Sequence, residues 1–189
     1  MTLNHLDLYL PQFPDSQIFL TLYTNVTNAS TIRSNLLSGN TKYSYAFLDP
    51  KSIVSISHVL AAVYRALTER AAGSMRTRTV NSEIVFSMSP SMSIGDGLKR
   101  FGSKDDSTSI LVVRLFEDED KCADVTQVLT ALDEIVDGDR IPISDSAIEP
   151  LTDIEIVRKN YKIPKGVQLT NREEATKIIS GALALRGYI

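Results

Sequence analysis

The chain has 189 residues, with 20 lysines and arginines against 23 acids and a hydrophobic content of 43%, which suits one domain with a substantial core. No apolar run approaches the roughly 20 residues that cross a bilayer, and a lone cysteine, Cys122, forms no internal disulfide, so a soluble protein is expected. The net charge of −3 hides a segregation: residues 117–139 hold nine acids and one base, and the rest carries a mild excess of five positive charges, weaker than the basic face of many nucleic-acid-binding domains.

The N-terminus, MTLNHLDLYLPQFPDS, has no basic start and alternates Leu6, Leu8 and Leu10 as a strand does, so no secretory signal is expected there. Further β-rich apolar runs fall at Ile18 to Tyr23, Tyr43 to Leu48, Glu83 to Met88 and Ile110 to Phe116. A first helix is predicted from about Asn28, with Ile32, Leu36 and Leu37 inward and Gly39 as its stop. The longest helix reads SHVLAAVYRALTERAAG from a cap at Ser57 to Gly73, with Val59, Val63, Ala66 and Leu67 on one stripe widened by Leu60 and Tyr64. DVTQVLTALDEIVDG repeats Val125, Val128, Leu129 and Leu132 at helical spacing and ends at Gly138. Thr152 with Glu155, and Asn171 with Glu174, read as capping boxes that open the last helices. The expectation is an α/β (α+β) fold, one domain over residues 1–189, with a mixed sheet of four to five strands flanked by helices.

Chemistry-bearing candidates are few. SPSMSIGDGLKRFG, residues 89–102, offers Gly95 and Gly97 after an apolar run, but a dinucleotide loop needs glycine or alanine where Arg100 stands. Ser93 with Asp96 reads instead as a helix start and Gly102 as its stop. His5 and His58 lack partners at zinc-ligand spacing, and Cys122 lies in the most acidic segment, where no thiolate is favoured. His58, in the first turn of the long helix, is expected neutral. No cofactor, metal or catalytic residue is expected. Arg65, Arg70, Arg76 and Arg78 cluster on the long helix and its exit, and Lys99 and Arg100 add to them. They read either as a solvated face or as phosphate contacts.

The run MRTRT at 75–79, Ser82 and Glu83, SP at 89–90, LKRFG at 98–102 and the polar loop into SILVV together resemble the PRPK-binding protein (TPRKB) family, a subunit of the KEOPS complex, also called EKC. LPQFPDS at 10–16, IRSNLL, AFLDP and the ending LALRGYI extend the likeness to fungal-type members, while residues 117–150 match least. Members commonly carry helix-forming residues where this chain has Gly95 and Gly97, so these glycines are expected to be incidental or useful for local packing.

The resemblance implies a non-catalytic subunit that binds the N-lobe of a small atypical kinase, PRPK, which acts mainly as an ATPase beside an OSGEP-like enzyme. That complex installs threonylcarbamoyladenosine next to the tRNA anticodon, and in fungi it is linked to telomere maintenance and transcription, in nucleus and cytoplasm. Some members also hold the acceptor end of tRNA. The implied direct partner is thus the kinase and the indirect one the OSGEP-like subunit, with tRNA contact at Arg70, Arg76, Arg78, Lys99 and Arg100 as the alternative role. For the kinase, the last helix is the first candidate, because Ile178, Ile179, Ala182, Leu183, Leu185, Tyr188 and Ile189 exceed one inner stripe. The alternative is that all seven are core; family motifs assign them no contact.

Overall fold

The computed structural model describes residues 4–116, 125–169 and 171–187. The strands are β1 (Leu6–Leu10), β2 (Phe13–Thr24), β3 (Ala46–Leu48), β4 (Ile110–Phe116) and β5 (Asp139–Ile141). The described helices are α1 (Ala29–Leu37), α2 (Ile56–Ala71), α3 (Val80–Ser87), α4 (Ile94–Phe101), α5 (Val125–Ile135), α6 (Asp145–Ile148), α7 (Ile154–Tyr161) and α8 (Arg172–Ala184). One compact unit draws on the chain up to Leu48 and on Ser103–Ile143; the other draws on Asp49–Gly102 and on the chain from Ser144.

The first unit holds the sheet, in the order β1-β2-β4-β3, with β5 also paired to β2. Every pairing is antiparallel. β2 is long enough to take β4 along Gln17–Tyr23 while β1 and β5 share its other edge in tandem. Ile18 to Tyr23 is buried at every position, which explains why this strand reads as a continuous apolar run rather than an alternation. On one face Phe19, Tyr23, Phe47, Val112 and Phe116 pack with Ile32 of α1 and Val128, Leu132 and Ile135 of α5. The Tyr23 hydroxyl donates to Asp133 at 2.7 Å, and burial together with that carboxylate raises its pKa.

Two expectations shift in this unit. Leu37, expected inward, is 79% exposed, because Ala29, Ile32 and partly buried Leu36 form the inner stripe of the short α1. The run Tyr43 to Leu48 is strand only from Ala46; Thr41–Tyr43 forms a 3-10 turn capped by Asn40, whose side chain accepts from the Lys42 N–H.

The second unit is helical. α2 turns His58, Val59, Ala62, Val63, Ala66 and Leu67 inward and packs against α3 and α8. Its cap is Ser55, not Ser57: the Ser55 hydroxyl accepts from the His58 N–H at 3.1 Å, and Asp145 accepts from the Ile56 N–H at 2.7 Å. Gly73, at φ +64°, supplies the left-handed residue that ends the helix.

The run Glu83 to Met88 is helix, not strand. Thr79 caps α3 by accepting from the Ser82 N–H at 3.1 Å, and Glu83, Ile84, Val85, Phe86 and Ser87 are all buried. A helix buried all round shows no 3.6-residue period, so its short apolar run mimics an interior strand. The Ser93 cap and the Gly102 end of α4 stand as expected. At α7 the cap moves one residue, to Asp153, whose carboxylate accepts from the Glu155 and Ile156 N–H groups; the Thr152 hydroxyl donates to the Ile53 carbonyl at 2.6 Å instead.

Candidate functional site

α8 begins under Asn171, whose side chain accepts from the Glu173 and Glu174 N–H groups, and its first turn carries two acids that suit the helix dipole. Its inner stripe is Ala175, Ile179 and Leu183, spaced four residues apart and buried. With that stripe filled, Ile178 remains 38% and Leu185 52% exposed, and half-buried Ala182 joins them at the i, i+4, i+7 positions of one face. The structure therefore divides the residues expected at a kinase contact. Ile178, Ala182 and Leu185 are accessible; Ile179 and Leu183 belong to the core; Tyr188 and Ile189 lie outside the described residues.

The other flank of α8 forms a groove of about 410 Å³ with α2, lined by Ala61, Tyr64, Thr68, Ser180 and Ala184 and bordered by Arg65 and Glu69. Tyr64 is 42% exposed there. Arg65, counted among the basic candidates, is committed elsewhere: its guanidinium donates to the carbonyls of Leu183 and Arg186 and pairs with Glu69 at 3.5 Å. It thus closes the C-terminal end of α8, where bare carbonyls and the helix dipole favour a cation.

Arg186 does the same for α3. Its guanidinium carbon lies 4.2 Å above the Phe86 ring, and its Nη1 donates to the carbonyls of Phe86 at 2.8 Å and Ser89 at 3.2 Å. Desolvation, reinforced by Arg65, lowers its pKa to about 10, so it stays charged at neutral pH. The sequence singles out Arg186 by nothing beyond its place in the LALRGYI ending, so this interior role was not foreseen.

The expected tRNA-contacting residues fall on three elements of this unit. Arg70 is half-buried in the last turn of α2, Arg76 and Arg78 are exposed on the loop between α2 and α3, and α4 carries exposed Lys99 and half-buried Arg100 in its last turn. Glu83 holds that loop. Fully buried in the first turn of α3, its Oε2 accepts from the Arg76 N–H at 3.1 Å, the Thr77 N–H at 2.8 Å and the Thr77 hydroxyl at 2.7 Å. The one sequence signal for this was an acid opening an otherwise apolar run.

Comparison with known proteins gives these surfaces a context. A family model described as "Kinase binding protein CGI-121" matches residues 23–187. An EKC/KEOPS complex subunit CGI121 of Yarrowia lipolytica is 39% identical over 178 residues, covering 94% of this chain and 98% of the relative. The EKC/KEOPS complex subunit cgi121 of Aspergillus fumigatus is 36% identical over 99% of both chains. Its counterpart from Schizosaccharomyces pombe is 34% identical over 96% of this chain and 99% of the relative.

Proposed function

Because the chain belongs to the CGI-121 family of kinase-binding proteins, we propose that it is a non-catalytic subunit of a KEOPS/EKC complex that docks on the small atypical PRPK-type kinase through the outer face of α8. The observation that carries this reading is the pair Ile178 and Leu185, left 38% and 52% exposed on a helix whose inner stripe is already complete. Apolar surface of that kind on one helix face suits a protein partner. Through the kinase the subunit supports the OSGEP-like enzyme in threonylcarbamoyladenosine modification of tRNA, with linked roles in telomere maintenance and transcription, in nucleus and cytoplasm. Affinity purification of the tagged chain from its native cells, with partners identified by mass spectrometry, tests the assignment. Recovery of a PRPK-type kinase and an OSGEP-like subunit supports it, and their absence from a purification that returns other stable partners contradicts it.

A second reading has its own observation: the loop that exposes Arg76 and Arg78 is fixed by a buried carboxylate rather than left to solvent. A fixed backbone that presents two arginines suits phosphate contact better than a mobile loop. In that role the subunit holds the acceptor end of tRNA through Arg70, Arg76, Arg78, Lys99 and Arg100.

A further inference from the structure

We propose that Glu83 is a positioning residue for the arginine loop: its buried carboxylate sets the backbone at Arg76 and Thr77 so that the two flanking guanidinium groups stand out together toward a polyanion. The inference rests on the reading of Arg76 and Arg78 as RNA contacts and adds the residue that makes them competent.

Three donors from two consecutive residues converge on one oxygen, at 2.7, 2.8 and 3.1 Å. Two adjacent amides bound to one acceptor define the local backbone, because neither peptide plane can rotate without breaking a bond to a charged partner. The side chains then alternate in exposure: Met75 and Thr77 are half-buried, Arg76 and Arg78 exposed. Both guanidinium groups are free to turn to solvent while Thr77 anchors the segment between them.

The coupling runs both ways. An interior carboxylate is costly unless hydrogen-bonded, and the loop supplies the bonds that Glu83 receives, at the positive end of the α3 dipole. Releasing the loop would strip the carboxylate of all three, so the loop is held in one arrangement before any ligand arrives. A loop backbone ordered in advance keeps the affinity that a disordered loop spends on becoming ordered.

The other oxygen, Oε1, is buried with no partner. A glutamine can therefore place its carbonyl where the three donors converge and its amide where nothing is bonded, keeping the geometry without the charge. That makes Glu83→Gln a rescue variant and Glu83→Ala the deletion.

The test is fluorescence anisotropy of a labelled tRNA transcript titrated with the full-length chain at several salt concentrations. It compares wild type, Arg76→Ala with Arg78→Ala, Glu83→Ala, Glu83→Gln and Thr77→Val, with hydrogen exchange of the Arg76 and Thr77 amides recorded on each. Glu83→Ala is expected to bind about 10-fold more weakly and with a shallower salt slope although both arginines remain, its two amides losing protection; Glu83→Gln recovers most of both. Thr77→Val removes one donor without touching the core and is expected to give a smaller change in the same direction, so it carries the test should Glu83→Ala not fold. If the double arginine variant weakens binding while Glu83→Ala and Thr77→Val bind like wild type with unprotected amides, the positioning role is overturned and the RNA reading stands. If the double arginine variant itself binds like wild type, the RNA reading falls and the inference with it.

Discussion

His58 and Tyr161 meet inside the helical unit, with Nε2 2.6 Å from the phenol oxygen and both side chains buried. The Val54 N–H donates to Nδ1 at 3.4 Å and the Tyr161 hydroxyl donates to the Met88 carbonyl at 2.5 Å, so the Nε2 of His58 carries the proton that Tyr161 accepts. This series of bonds joins α2, α7 and the end of α3, and its first step requires a neutral imidazole, because a protonated Nδ1 cannot accept from Val54.

Acid should therefore weaken the fold at this point. Burial lowers the His58 pKa from 6.5 to about 3, so the stability it contributes is whole above 6.5 and drains away as pH falls toward 3, with a slope of about 1.4 kcal/mol per pH unit. Urea titrations at pH 6, 5 and 4 should show that slope in wild type, and His58→Gln, which does not titrate, should flatten it. Burial raises Tyr161 above its ordinary 10.0, so its contribution is whole below that pH and lost above it.

Two glycines in one helix should respond oppositely to alanine. A Cβ on Gly97 would lie 3.0 Å from Cδ2 of Phe86 and 3.3 Å from Cβ of Ser89, and Phe86 is fixed in the core under Arg186, whereas a Cβ on Gly95 would meet open space. Gly95→Ala should stabilise by about 0.5–1 kcal/mol through helix propensity, and Gly97→Ala should destabilise by about 1 kcal/mol as the clash outweighs that gain. Thermal unfolding of the two single variants checks both signs.

Neighbouring positions on α8 should differ as sharply. Leu183→Asp places a carboxylate in the core, where Leu183 is 2% exposed, and should cost more than about 4 kcal/mol. Ile178→Asp, on the accessible face, should stay within about 1 kcal/mol of wild type. Circular dichroism melting of both variants separates the two faces before any binding is measured.

Arg186 should matter to stability despite its charge. Arg186→Ala removes the guanidinium donor from the Phe86 and Ser89 carbonyls, leaving Phe86 only the Ser89 N–H, and uncovers the Phe86 ring, with an expected loss of about 2–4 kcal/mol. Arg186→Lys should recover little, since one ammonium cannot both stack on the ring and reach two carbonyls. Denaturant midpoints of the pair test this.

Local signals carried much of the reading. Ser93, Asn171, Gly102 and the alternation of Leu6, Leu8 and Leu10 act within a few residues, so both ends of α4, the start of α8 and the first strand were legible without knowing the neighbours. The α3 segment was not, because tertiary burial on all sides erased its period. Position on α8 was equally hidden: Ile178 and Ile179 are chemically identical, and packing against α2 decides which of them is core. Glu83 looked like the polar edge of a strand because its partners, Arg76 and Thr77, come from a loop whose course depends on it. The accessible face of the last helix was foreseen as a region, while its membership needed the fold.

The most direct test of the proposed docking face is calorimetric titration of the purified PRPK-type kinase with wild type and with the Ile178→Asp, Leu185→Asp double variant, after both are shown to melt alike. Docking through the outer face of α8 predicts that the double variant binds at least about 100-fold more weakly, as expected when two apolar anchors at an interface are replaced by charges. Equal affinity of wild type and double variant for the kinase would contradict it.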